Sequence, residues 1–209
     1  MSLSLGLYDI FTYAIPGSLY LGLIAYVVQR LEWLNLDPVS TWNAAIVSAV
    51  VVIASFLAGH ATYQLRRYFE ERLRWWRRSY DDNRRAFLGK MPAADGWPLL
   101  SIDPLTLLAG IEVYNQDAAN SVVRIRAVGL MVRSAAPPML LGAAVAGVEI
   151  FANGNPAAAA SAFIGLLVAT LSCMRHGQRM SDWADIKTWE LAFWMPDLDA
   201  QLDRARRPE

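Results

Sequence analysis

Two apolar stretches of this chain run directly into charged, helix-forming sequence with nothing at the junction to stop them. Trp42 to Leu65 (WNAAIVSAVVVIASFLAGHATYQL) passes into Arg66 to Leu88 (RRYFEERLRWWRRSYDDNRRAFL). The mirror order follows: Asp103 to Arg126 is polar and helical in pattern, and Ala127 to Ala152 is apolar. Proline or glycine would break or weaken a helix at such a junction, and neither stands at 65/66 or 126/127. Each changeover lies about 23 residues from the Gly- and Pro-rich turn Gly89 to Ile102, so at ~1.5 Å per residue both arms reach roughly 35 Å before they meet. The matched lengths predict a helical hairpin, Trp42 to Leu88 and Asp103 to Ala152, rooted in a membrane and standing out on one side of it.

The rest of the chain fits four spans. Ile10 to Val28 is apolar around Pro16-Gly17, a kink that neighbouring membrane helices tolerate. It lacks a basic leader and an Ala-x-Ala site, so it reads as a retained span with Asp9 capping its entry. Trp42 to Leu65 is long enough for ~30 Å of hydrocarbon, and its recurring Ala, Ser and Gly residues allow close helix approach. Ala127 to Ala152 is the third span, Asn153 to Pro156 a tight turn, and Ala157 to Met174 the fourth span. Arg175 to Glu209 reads as a polar tail with one helix, Ser181 to Trp194, ended by Pro196. The expected fold is therefore all-α, with spans in 1–65 and 127–174, a helical hairpin in 66–126 and a tail in 175–209. Within the hairpin, Asp103-Pro104 is a helix start, and Leu107, Ile111, Tyr114, Ala118, Val122 and Ile125 form an apolar stripe. Nine Lys/Arg face four Asp/Glu between Arg66 and Lys90, whereas the loop 29–41 carries one Arg and 153–156 none. The positive-inside rule then places both termini and the hairpin in the cytoplasm, and Trp33 and Trp42 at the opposite headgroup level.

The composition narrows the chemistry. With one cysteine, Cys173, the chain has no intrachain disulfide and no Cys-built zinc site, and its two histidines are too few for a metal site in one subunit. No phosphate loop, nucleophile elbow or HExxH motif is present, so neither an enzyme nor a cofactor is expected. Ionisable groups inside a membrane are costly and mark cavities or partners. His60, on a small-residue face near the cytoplasmic end of the second span, is with Ser55 a pore or gate candidate, or a neutral histidine bonded to a neighbouring helix. Arg133, about two turns inside the third span, either reaches the headgroups or serves to repel cations or bind lipid. Pro137-Pro138 is a static bend or a gate hinge. Glu149, at the opposite mouth, would favour cations if it faced a pore, or sits solvated at the interface. In the hairpin, Arg74, Trp75, Trp76, Arg77, Arg78 and Arg84 have three readings: anionic headgroups, a phosphate-bearing nucleotide or oligonucleotide held by Arg and stacked on Trp, or a partner protein. Asn115, Asp117 and Asn120 form a polar cluster on the second arm, a further candidate for binding a ligand or partner.

The segment Tyr8 to Gly17 (YDIFTYAIPG) leading into a span, together with Gly59-His60 closing the next, resembles small multi-pass membrane effectors of bacterial anti-phage systems, nucleotide-signalled or CRISPR-linked. The resemblance covers roughly the first 65 residues. It implies a homo-oligomer in the inner membrane that forms a pore or disturbs the bilayer when its cytosolic part receives a nucleotide signal or a partner. The alternative from the residues is a non-conducting scaffold or sensor that docks a soluble partner.

Overall fold

The computed structural model describes residues 3–33, 43–62, 80–152 and 155–195, with side chains from residue 10 onward. The described residues form six α-helices and no strand: α1 (Leu3–Arg30), α2 (Ala44–Ala61), α3 (Tyr80–Lys90), α4 (Pro104–Tyr114), α5 (Gln116–Ala152) and α6 (Pro156–Phe193). Four of them, within Ile10–Arg30, Ala44–Ala61, Gln116–Ala152 and Pro156–Phe193, are long and apolar enough to cross a membrane. The chain divides into two compact units, Met1–Arg74 with Ala127–Gly177, and Trp75–Arg126 with Gln178–Glu209. Helices α5 and α6 contribute residues to both.

In the first unit the pattern of a water-soluble helix is inverted. Ile46, Val50, Ile53 and Leu57 lie along one face of α2 and are exposed, while Ser55 and Gly59 are buried. On α6, Ile164, Val168 and Leu171 are exposed and Thr170 is buried. Water would penalise such a surface by ~25 cal/mol per Å² of apolar area, whereas hydrocarbon does not. What then holds the helices together is close packing of small residues. A Cβ at Gly17 would overlap the Ser55 carbonyl, and one at Gly59 the Tyr13 carbonyl. Tyr13 stands edge-on to Phe56 and to His60, at 6.0 and 5.3 Å between ring centroids. These contacts make α1 and α2 antiparallel. Gly142 faces Leu166, Gly147 faces Phe163, and Gly177 faces Gly129 and Arg133, so α5 and α6 are antiparallel too.

The second unit follows the ordinary rule. Phe87 from α3, Leu107 and Ile111 from α4, Val122 from α5 and Trp189 from α6 are fully buried. The connection between α3 and α4 is more than the expected turn. It makes two 3₁₀ turns, Pro92–Ala94 and Pro98–Ser101, and buries Ala94, Leu99 and Leu100 in the same core. Tyr80 and Phe87 place their rings 5.4 and 5.9 Å from the Trp189 indole.

Several expectations need correction. The second arm is not one helix from Asp103 to Ala152. Asn115 takes an extended backbone (φ −148°, ψ 95°), closing α4, and its side chain accepts the Ala118 N–H at 3.0 Å to open the next helix. Of the expected stripe, Leu107, Ile111 and Val122 are buried and Ala118 and Ile125 pack half-buried against the same core, whereas Tyr114, beside the break, is exposed and Ala119 is buried. The fourth span and the tail helix are one element, α6, because no residue between Met174 and Ser181 ends the helix. The expected tail supplies Trp189 to the core. Asp9 does not cap a helix, since α1 begins at Leu3. Asp103 does cap α4, accepting the Leu105 N–H at 3.0 Å ahead of Pro104. The junction at 65/66 lies outside the described residues.

Replacing Gly59 with Leu forces a side chain into the Tyr13 backbone and is expected to destabilise the protein by ~3 kcal/mol or more, at or beyond the top of the overpacking range. Gly22→Leu on the same α1 has open space around it and is expected to leave the thermal midpoint in detergent unchanged.

Candidate functional site

Two polar clusters stand out against these apolar surroundings. The first is at the ends of α1 and α5. Tyr26 and Arg30 are one turn apart on α1 and therefore share a face. The Tyr26 hydroxyl donates to Glu149 Oε1 at 2.6 Å, and Arg30 Nε donates to the same oxygen at 3.3 Å. The Glu149 side chain is only 14% exposed, and that of Arg30 49%. Leu23, a turn earlier on α1, lies beside Gly142, about two turns before Glu149 on α5. The two helices thus run in the same direction along this seam.

The second cluster is a polar layer inside the second unit. Asp182 is buried, and its Oδ1 accepts from Asn83 Nδ2 at 3.2 Å and from Gln178 Nε2 at 3.1 Å. Arg126 donates to Asp185 at 2.8 Å. Asp182, Asp185 and Trp189 follow a three- and four-residue spacing, which lines them along one side of α6. Above the layer, the Tyr80 hydroxyl donates to the Leu100 carbonyl at 2.9 Å, with the Ile102 carbonyl at 3.3 Å. Burial pushes the Tyr80 phenol above its ordinary value of 10.0; the Asp103 carboxylate adds to this and the Arg84 guanidinium opposes it.

The residues singled out in the sequence do not converge on one place. Glu149 is engaged by Tyr26 and Arg30. His60 is exposed on α2 beside Tyr13, so it meets α1 roughly 20 Å along the helix from the Glu149 cluster. Ser55 is buried at the α1 crossing, on another face of α2 from His60. Pro137 and Pro138 are buried inside α5, which continues through them. The Arg133 stem packs over Gly177, two residues beyond Arg175 on α6. Arg133 therefore lies level with the polar part of α6, not with its apolar run, as a side chain that reaches headgroups would.

In the second unit, Arg84 is exposed and its neighbour Arg85 pairs with Asp82 at 3.6 Å. Asn115 is a helix cap, Asp117 lies exposed in the first turn of α5, where its charge suits the helix dipole, and Asn120 is half-buried. Arg74, Trp75, Trp76, Arg77 and Arg78 lie outside the described residues. Among the described residues no group of three or more His, Cys, Asp or Glu is placed to hold a metal.

Tyr26, Asn83, Gln178, Asp182 and Asp185 are not among the candidates that the sequence offers, and Arg30 stands there only as a loop charge. The Tyr26–Arg30 spacing and the acid-acid-Trp spacing in 182–189 were the signals available. No family model, curated protein or solved structure matches this chain.

Two outcomes follow for the second unit. Asn83→Ala leaves the buried Asp182 with one fewer donor and should lower stability by ~1–3 kcal/mol. Arg85→Ala, which removes an exposed pair, should change it by less than ~1 kcal/mol. Trp189 fluorescence during thermal melting reads both. For Tyr80, the unfolded chain ionises more readily than the folded one, so its contribution is complete below pH ~10 and is lost as pH rises through the raised folded value. Melts between pH 8 and 12 should show an alkaline decline that Tyr80→Phe makes shallower.

Proposed function

We propose that the protein is a homo-oligomeric channel or pore-forming effector of the bacterial inner membrane, gated through its second unit. The observation that carries this reading is the inverted first unit. Its four helices pack on glycine and serine contacts and turn their apolar faces outward. Backbones this close leave little room for an aqueous path within one copy, so conduction requires several copies around an axis. Lys/Arg placement in the sequence supports a cytoplasmic location for both termini and for the second unit. The resemblance of Tyr8 to Gly17 and of Gly59-His60 to anti-phage effectors supports defence as the biological setting. It also supports a nucleotide or oligonucleotide as the trigger, with the basic, Trp-containing segment 66–78 and Arg84 as its contact.

A non-conducting scaffold or sensor is the second reading. The observation favouring it is the second unit itself, a complete core with exposed Leu105, Val113 and Trp194 at its surface, which suits a docked protein. The two readings separate in one experiment. Purified full-length protein is analysed by native mass measurement and recorded in planar bilayers, alone and with a panel of cyclic di- and trinucleotides. The channel reading expects a closed ring of copies and discrete current steps. A monomer with no current under any of these nucleotides overturns it, and a stoichiometric soluble protein captured from membranes then supports the scaffold.

A further inference from the structure

We propose that Tyr26, Arg30 and Glu149 form a latch that couples the helix pair confined to the first unit to the helix pair shared with the second. Helices α1 and α2 belong wholly to the first unit and are joined by the Gly17 and Gly59 crossings, where backbone meets backbone. Helices α5 and α6 are joined along Gly142, Gly147 and Gly177, and both supply residues to the second unit. Each pair is thus closely packed within itself. Between the pairs, the seam of α1 and α5 has a different character: Leu23 beside Gly142, then the phenol and guanidinium on one carboxylate oxygen.

That difference gives the seam its role. Glycine crossings depend on shape, and sliding them brings backbone atoms into collision. A carboxylate with two donors depends on charge and direction, and it can exchange its partners for water at the end of a span. Glu149 is mostly covered while Arg30 is half open, so the carboxylate is shielded as long as the contact holds. Hydrogen bonds to charged groups are worth ~1.5–3 kcal/mol when one partner is removed. This is enough to bias a two-state arrangement by about tenfold or more. A displacement of α5 relative to α1 would break the contact and expose the carboxylate at that end of the unit. The latch is independent of whether the protein conducts, since it concerns only how the two pairs are tied.

The test is a distance. Spin labels are placed at Trp33→Cys and Phe151→Cys, both exposed positions near the cluster, in a Cys173→Ser background. The full chain is reconstituted in nanodiscs and diluted with unlabelled chain so that distances within one copy are read. Intact cluster residues should give one narrow distribution. Glu149→Ala and Arg30→Glu should each raise a longer-distance population on the order of tenfold, and Arg30→Glu combined with Glu149→Arg should bring it back down. Unchanged distributions in the single variants overturn the proposal, as does a charge swap that fails to restore the narrow one. If Glu149→Ala does not fold, Tyr26→Phe removes one hydrogen bond alone and must shift the distribution in the same direction; no shift overturns the latch.

Discussion

A helix that turns Ile, Val and Leu outward and buries Ser, Thr and Gly can persist only where no water competes for its surface. That requirement governs the first unit of this protein. In hydrocarbon the outward face costs nothing, so burial of apolar area no longer drives assembly, and shape takes over. Gly17 and Gly59 then matter more than any large residue of α2, because they let the α1 and α2 backbones touch. The same logic explains why Ile46, the run Val50 to Ile53 and Leu57 can all stand exposed on α2.

The second unit obeys the opposite rule with the same chain. Its large side chains point inward, and Trp189, Phe87, Leu100 and Leu107 form its centre. A unit of this size gains stability mainly from area removed from water, so buried polar groups are costly unless matched; Asn83 Oδ1, Arg126 Nε and Trp189 Nε1 find no partner among the described residues, but most others do. Asp182 meets two amide donors, Arg126 meets Asp185, and Tyr80 caps the carbonyls left open where the 3₁₀ turns end. The polar layer costs some packing but allows fewer alignments of α3, α5 and α6 than a purely apolar layer would.

Much of this was legible from residues alone, for identifiable reasons. The spans were visible because length and apolar content are properties of a single helix. The Asp103-Pro104 start was visible because capping is local chemistry. Asn115 was misread because its side chain can serve a ligand or a helix end, and only the backbone shows which. Its break leaves Val122 and Ile125 on the core, adds Ala119 and turns Tyr114 out, a detail that periodicity cannot resolve across an interruption. The tail hides its core for the converse reason: with three charged residues among Ala184 to Phe193, the stretch looks solvated until Ala184, Ile186, Trp189 and Ala192 are seen to share one core. Tyr26, Arg30 and Glu149 are 119 or more residues apart across the pairing, and nothing in a single sequence links positions so distant.

Helix α6 follows both rules in turn, and where it switches is informative. Up to Leu171 it exposes Ile164, Val168 and Leu171 while Phe163 and Leu166 meet α5, and from Ala184 onward Ile186 and Trp189 are buried. The changeover therefore falls between these positions, a stretch that contains Arg175, His176, Gly177 and Arg179. Arg133 of α5 packs against Gly177 there. Two helices thus place their cationic residues at the level where the outward face ceases to be apolar, as expected where hydrocarbon gives way to headgroups. A glycine at that level has its own consequence. Any side chain at position 177 would collide with the Arg133 stem and the Gly129 carbonyl, so α5 and α6 meet there without room for one. Within the first unit, a rotation of α6 about its axis would turn its apolar residues away from hydrocarbon and drive position 177 against the Arg133 stem, so medium and shape oppose the same movement.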